Sequence, residues 1–152
     1  MTSHQPIPSS RIRTAAFFGG CSSRGGVLIV EDDESCRKTV ASVLERAGYT
    51  VTEAADGESA IALARSGENP LLLDVVVVDM GLPHLTGGEV IHFFQCQFPH
   101  VQICILTGHP EINAAVAFLQ AGGVDYMVKP VTSDRLLDAI AQAMVRRVSC
   151  LE

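Results

Sequence analysis

The sequence has little charge and few aromatic rings. Of its 152 residues, 18% are charged and 5% aromatic, tryptophan is absent, and hydrophobic residues make up 47%. That balance excludes a disordered chain and supplies enough apolar surface for one packed core at a length typical of a single domain. Positive charge is the scarcer sign: 11 lysines and arginines stand against 17 aspartates and glutamates, for a formal net charge of −6 and a pI near 5.3. No basic surface is extensive enough to track a phosphate backbone, which argues against direct nucleic-acid binding. Long apolar runs are missing too. The longest, Leu71 to Val78, is interrupted by Asp74 and falls far short of the roughly 20 residues that span a bilayer. Paired cysteines are also lacking, since the five present (Cys21, Cys36, Cys96, Cys104 and Cys150) are odd in number and scattered, with no Cys-x-x-Cys. That is not the spacing of a disulfide framework, and reduced thiols at a cytoplasmic address are expected.

Residues 1–26 are rich in Ser, Pro, Gly and Arg without sustained periodicity and end in Ser22-Ser23-Arg24-Gly25-Gly26, a flexible-linker composition. They are expected to form a disordered tail or to reflect a misassigned start. Arg11 and Arg13 precede a short apolar stretch, but two glycines interrupt it and it is too weak for a secretory signal. The folded unit is expected over residues 27–148, followed by a short tail at 149–152.

Within that unit, short β-branched runs alternate with helical patterns. Val27–Val30, Tyr49–Glu53, Val75–Val78, Ile103–Leu106 and Tyr126–Val128 read as five strands. Five helices are expected between and after them. The first, Ser35 to Ala47, stops at Gly48, and the second, Gly57 to Arg65, is capped by Asp56. The third opens with the capping box Thr86-Gly-Gly-Glu89, and the fourth runs from Glu111 to Ala121 ahead of Gly122-Gly123. The fifth starts after Thr132-Ser133-Asp134 and continues to about Val148. Strict alternation implies a parallel α/β sheet, doubly wound, with helices on both faces.

In such sheets ligands bind beyond the carboxyl ends of the strands. There the sequence places Glu31, Asp32 and Asp33, then Asp79, then Thr107-Gly108, then Lys129-Pro130. A cluster of carboxylates repels itself unless a divalent cation neutralises it, and an oxygen-only ligand set suits Mg²⁺. Lys129 and Thr107 offer the fixed charge and the hydroxyl that a transferred phosphoryl group needs, and an aspartate can itself be the nucleophile.

Four motifs, Val27-Leu-Ile-Val-Glu-Asp-Asp33, Asp79-Met-Gly-Leu-Pro83, Leu106-Thr-Gly108 and Asp125-Tyr-Met-Val-Lys-Pro130, resemble the receiver domain of two-component response regulators over about Val27 to Val148. The resemblance implies a flavodoxin-like (αβ)5 fold with strand order 2-1-3-4-5. It implies Asp79 as phospho-acceptor, Asp32 as a direct Mg²⁺ ligand, Glu31 holding the ion through water, and Gly81 contributing a backbone carbonyl. By the same resemblance Lys129 contacts the phosphoryl group, Thr107 swings toward it, and Tyr126 is the aromatic switch, although Tyr126 reads equally as core packing. Gly81 and His109 fall where the family tunes the lifetime of the phosphate, and Lys129-Pro130 where its peptide bond is commonly cis. Glu31 in place of Asp and a Leu-rich approach to the third strand at Asn69 to Leu73 are the departures.

The implied function is a phosphorelay switch: a histidine kinase or histidine phosphotransfer protein phosphorylates Asp79, and the face of the fourth helix, fifth strand and fifth helix changes for a partner or for a homodimer. Enzymatic activity beyond self-phosphorylation and autodephosphorylation is not expected. A phosphatase would want a second acid where Gly81 stands, and a flavin site would want a phosphate loop where Glu31-Asp32-Asp33 lies. The alternative is a receiver-like binding module that works without phosphorylation. After the last helix little chain remains for output, so a stand-alone regulator, a relay shuttle or a piece of a larger protein are all compatible, and the runs Thr107-Gly-His109 and Ala121-Gly-Gly-Val-Asp-Tyr126 resemble receivers that precede DNA-binding domains. Asp33 and Glu34 read more simply as acidic residues at a helix N-terminus. His92, Cys96 and His100 recur every fourth residue and would align on a helix as soft-metal ligands, but Pro99 is expected to end that helix before His100, which argues against a zinc site.

Overall fold

Four consecutive valines, Val75–Val78, form the middle of the molecule, each at most 2% exposed. Such a run can only be a strand covered on both faces. The structure, a computed structural model, describes residues 23–66 and 73–151. The chain alternates strictly: β1 (Gly26–Val30), α1 (Glu34–Arg46), β2 (Thr50–Ala54), α2 (Gly57–Arg65), β3 (Val75–Val78), α3 (Gly87–Gln97), β4 (Gln102–Thr107), α4 (Ile112–Gln120), β5 (Asp125–Val128) and α5 (Ser133–Leu151). All strand pairs are parallel, in the order β2-β1-β3-β4-β5, as the resemblance implied.

Alternate side chains along each strand feed two separate cores. Val27, Ile29, Val75, Val77, Cys104 and Leu106 pack with α1 and α5, where Leu44, Leu136 and Ile140 are fully buried. Leu28, Val30, Val76, Val78, Ile103 and Ile105 pack with α2, α3 and α4 around Phe94, which meets Phe93 edge-on at 5.1 Å. Truncating Phe94 to alanine would open a cavity costing about 3–5 kcal/mol.

The punctuation behaves as the sequence predicts. Asp33 and Asp56 cap α1 and α2 through their carboxylates, and Thr86 with Glu89 forms the reciprocal box at α3. Gly48 turns the chain out of α1 at φ 102°, a left-handed conformation where a Cβ is costly. Glu111 precedes α4 but makes no side-chain cap.

Boundaries shift in places. Thr107 is the last residue of β4 rather than the first beyond it, because its carbonyl accepts the Lys129 N–H at 2.9 Å and so extends the ladder. The last helix continues through Leu151, past the expected end at Val148, since Ser149-Cys150-Leu151 contains neither glycine nor proline. The expected tail at 149–152 is therefore helical backbone up to Leu151. Residues 1–22 of the expected N-terminal tail, 69–72 of the Leu-rich approach to β3, and Glu152 lie outside the described residues.

Candidate functional site

Register brings the polar residues together. Val30 pairs with Val78, so Glu31 and Asp79 leave the sheet side by side, and the Asp79 N–H donates to the Val30 carbonyl at 3.1 Å. Thr107 pairs with Val128, which delivers Lys129 from the next strand to the same edge. The result is a compact cluster. Glu31, Asp32 and Asp79 each present a carboxylate oxygen, all within 4.8 Å of one another. Lys129 Nζ donates to Glu31 Oε1 at 2.5 Å and to Asp79 Oδ2 at 3.3 Å. The Lys129–Pro130 peptide bond is cis, as the resemblance implied.

Each carboxylate is held differently. Glu31 is 3% exposed, and its second oxygen accepts the Asp33 N–H at 3.0 Å. Asp79, 7% exposed, accepts the Gly81 N–H on Oδ1 at 3.0 Å. Asp32 faces solvent. Burial pushes the Glu31 carboxyl up, and the charge of Asp79 adds to this, against the lowering effect of the Lys129 and Asp33 hydrogen bonds. At Lys129 burial acts downward, but the hydrogen bond to Glu31 and the charges of Glu31 and Asp79 outweigh it, so the ammonium is held well above its usual range. Lys129 therefore stays charged at any ordinary pH.

Three carboxylates against one ammonium leave the site short of positive charge. Two of the three are buried, where repulsion is least screened. Hard oxygen donors with one member open to water fit a Mg²⁺ ion that keeps several waters.

The remaining expected residues surround this cluster. Thr107 is fully buried and its hydroxyl oxygen accepts the His109 N–H at 3.1 Å. His109 is exposed, and its Nδ1 lies 3.9 Å from where a Cβ on Gly81 would sit, while that same point is 3.7 Å from Asp79 Oδ1. Gly81 thus leaves open the space between the Asp79 carboxylate and the imidazole. Tyr126 stands apart: its hydroxyl accepts the Glu111 N–H at 3.3 Å and its ring meets Phe118 at 6.4 Å. His92 and Cys96 face each other on α3, whereas His100 lies beyond the helix end with its ring against Phe98 at 6.5 Å, so the three do not converge.

Sequence reasoning missed three contributors. Arg37 donates to the Glu31 carbonyl at 3.0 Å while its Nε binds Glu53, pinning the end of β1. Asp33, read as an acidic residue at a helix N-terminus, caps α1 and also orients Glu31 through its N–H. Gly87 lets the first turn of α3 lie against the end of β3, since a Cβ there would sit 2.6 Å from the Asp79 carbonyl oxygen. The pair of glycines after Thr86 was the available signal for that close approach.

Comparison with known proteins agrees with this geometry. The sequence model of the response regulator receiver domain matches residues 27–141. A probable transcriptional regulatory protein of Mycobacterium tuberculosis, TcrX, is 36% identical over 121 residues, 80% of this chain and 50% of its own. A cyclic di-GMP phosphodiesterase of Thermotoga maritima is 32% identical over 122 residues, 80% of this chain and 32% of its own. The chain thus spans half or less of these two relatives. A crystal structure of a response regulator receiver domain protein from Clostridium thermocellum superposes with a TM-score of 0.76 at 28% identity, covering 83% of this chain and 98% of that one. A CheY-like receiver from Methanospirillum hungatei gives 0.75 at 26% identity, covering 84% and 98%. With the family's sequence pattern running from β1 into α5 and its sheet order reproduced, this chain belongs to the response regulator receiver domains of two-component systems.

Proposed function

We propose that Asp79 is the phospho-acceptor of this receiver. The observation that carries the reading is the single ammonium of Lys129 shared between buried Glu31 and buried Asp79 at the end of β3. An Asp79 carboxylate oxygen attacks the donor's phosphorus, the bond from phosphorus to the donor breaks, and an acyl phosphate forms. Lys129 binds an equatorial oxygen of the incoming group, and the Gly81 N–H keeps Asp79 oriented. Thr107 supplies the hydroxyl: its oxygen accepts the His109 N–H, and its O–H donates to a phosphoryl oxygen. Glu31, Asp32, Asp79 and the Gly81 carbonyl would hold a Mg²⁺ ion, which when bound neutralises charge on the phosphoryl oxygens.

The donor is a histidine kinase or histidine phosphotransfer protein in the cytoplasm, and autodephosphorylation is the only other chemistry. His109 and Gly81 set the lifetime of the adduct by controlling the space above Asp79. Phosphorylation biases a pre-existing pair of states in which Tyr126 turns inward behind Thr107. The readout face is α4, β5 and α5, where Ile112, Val116, Leu119 and Val128 are exposed and apolar, and it serves an output domain, an output protein or a homodimer. Among the described residues, no helix is long and apolar enough to cross a membrane.

Intact-mass spectrometry after incubation with Mg²⁺ and acetyl phosphate tests this. A gain of one phosphoryl group that disappears in Asp79→Asn and with EDTA supports the proposal. No gain, where a known receiver is labelled in parallel and quenching is fast, would leave a phosphorylation-independent binding module.

A further inference from the structure

Outside the acidic site, two metal-ligating side chains stand together on α3. His92 and Cys96 lie four residues apart, one turn of helix, and both are exposed. Cys96 Sγ is 3.6 Å from His92 Nε2 and 3.9 Å from Nδ1. Zinc bonds of about 2.3 Å to sulfur and about 2.05 Å to nitrogen, opened to the tetrahedral angle, separate those two atoms by about 3.6 Å. The two side chains are therefore within reach of one ion once the imidazole turns a nitrogen lone pair toward it. Because the two ring nitrogens are nearly equidistant from sulfur, neither is yet committed, and rotation about the broad His χ2 on an exposed face aims one of them.

Two ligands do not complete a zinc shell. Among the described residues, the grouping of three or more potential ligands is Glu31, Asp32 and Asp79, which does not include His92 or Cys96. His100 lies past the end of α3. The missing ligands must come from elsewhere.

We propose that His92 and Cys96 are half of a Zn²⁺ site completed by the same two residues of a second copy of this chain. A two-fold contact repeats every ligand in pairs, so two histidines and two cysteines follow from symmetry alone. Each Cys96 thiol gives its proton to solvent as it binds, and the two thiolates balance the charge of the ion. The bridge therefore adds no charge between chains that each carry −6 and otherwise repel. Gly88, exposed one turn before His92, leaves that stretch of the helix low enough for a second helix to approach. Neither ligand belongs to the acidic site, so this inference is independent of the phospho-acceptor reading.

The test uses the full chain, reduced with a non-chelating phosphine and kept in excess Mg²⁺ to occupy the acidic site. Co²⁺ is titrated and followed by absorption, and Zn²⁺ is added during sedimentation analysis. The expected result is a thiolate-to-metal band with a tetrahedral ligand-field envelope, saturating at one ion per two chains, together with a zinc-dependent dimer. Both signals should be lost in Cys96→Ser and in His92→Gln and kept in Asp79→Asn. Circular dichroism checks that the two surface variants remain folded. One ion per monomer, a metal band without thiolate character, or a zinc-dependent dimer that survives Cys96→Ser would each overturn the proposal.

Discussion

Adjacent glycines at the start of α3 should respond in opposite directions to the same substitution. A Cβ on Gly87 would lie 2.6 Å from the Asp79 carbonyl oxygen and 2.8 Å from Met80 Cα, both backbone atoms that cannot rotate away. The closest ordinary contact between carbon and a carbonyl oxygen is about 3.3 Å, so α3 and the end of β3 must separate by roughly 0.7 Å. Overpacking of that kind costs about 1–3 kcal/mol, offset by up to about 1 kcal/mol because alanine restricts the unfolded chain. A Cβ on Gly88 would meet nothing nearer than Thr86 Oγ1 at 3.8 Å, so Gly88→Ala should keep the whole entropic gain. The two variants should differ by about 2 kcal/mol, which separates their urea midpoints by about 1 M. Gly87→Ala should also slow labelling by acetyl phosphate about tenfold or more, because the displaced atoms belong to Asp79, the proposed acceptor. Midpoints that move together, or a Gly87→Ala protein as stable as wild type, would refute the close approach as the reason for glycine.

Other outcomes follow from the charges. Lys129→Met leaves Glu31, 3% exposed, without its ammonium, and should lower metal-free stability by about 1–3 kcal/mol in chemical denaturation, with Mg²⁺ restoring part of the loss. The Arg135 fork grips Asp125 at 2.7 Å on both oxygens and holds its carboxyl below the usual range despite partial burial. A depressed carboxyl contributes stability that is present above its unfolded value, about 3.9, and is lost as pH falls through the lower folded value. The stability difference between wild type and Arg135→Gln should thus be widest near neutral pH and shrink in acid, as read by denaturation at several pH values. Burial, with the nearby charge of Glu31, pushes the Cys36 thiol up to about 11, so at neutral pH iodoacetamide should modify exposed Cys96 well before Cys36, as peptide mapping would show.

Much of this architecture was legible because its signals are local. Val27–Val30 and Val75–Val78 declare themselves as doubly covered strands by composition alone, and Asp33, Asp56 and Thr86 with Glu89 mark helix starts within a few residues of the backbone they cap. The acidic residues and Lys129 could be placed at one sheet edge because alternation fixes which end of every strand faces the same way. What escaped was contact between distant segments. Nothing around Arg37 signals that it will clasp the Glu31 carbonyl, and nothing around Tyr126 signals that its hydroxyl will satisfy the N–H of Glu111. The end of α5 escaped for a different reason: without a glycine or proline after Val148, the chain carries no stop signal there.

The bond between Lys129 and Glu31 joins residues 98 positions apart, each just beyond the end of the first or the last strand. During synthesis, the carboxylates and Asp79 leave the ribosome well before the lysine does. On the proposed chemistry, such a nascent chain holds the acceptor without the cation that steadies the incoming phosphoryl group. Message-carrying capacity would then arrive only with the closing strand, and an incomplete copy would stay mute toward its kinase.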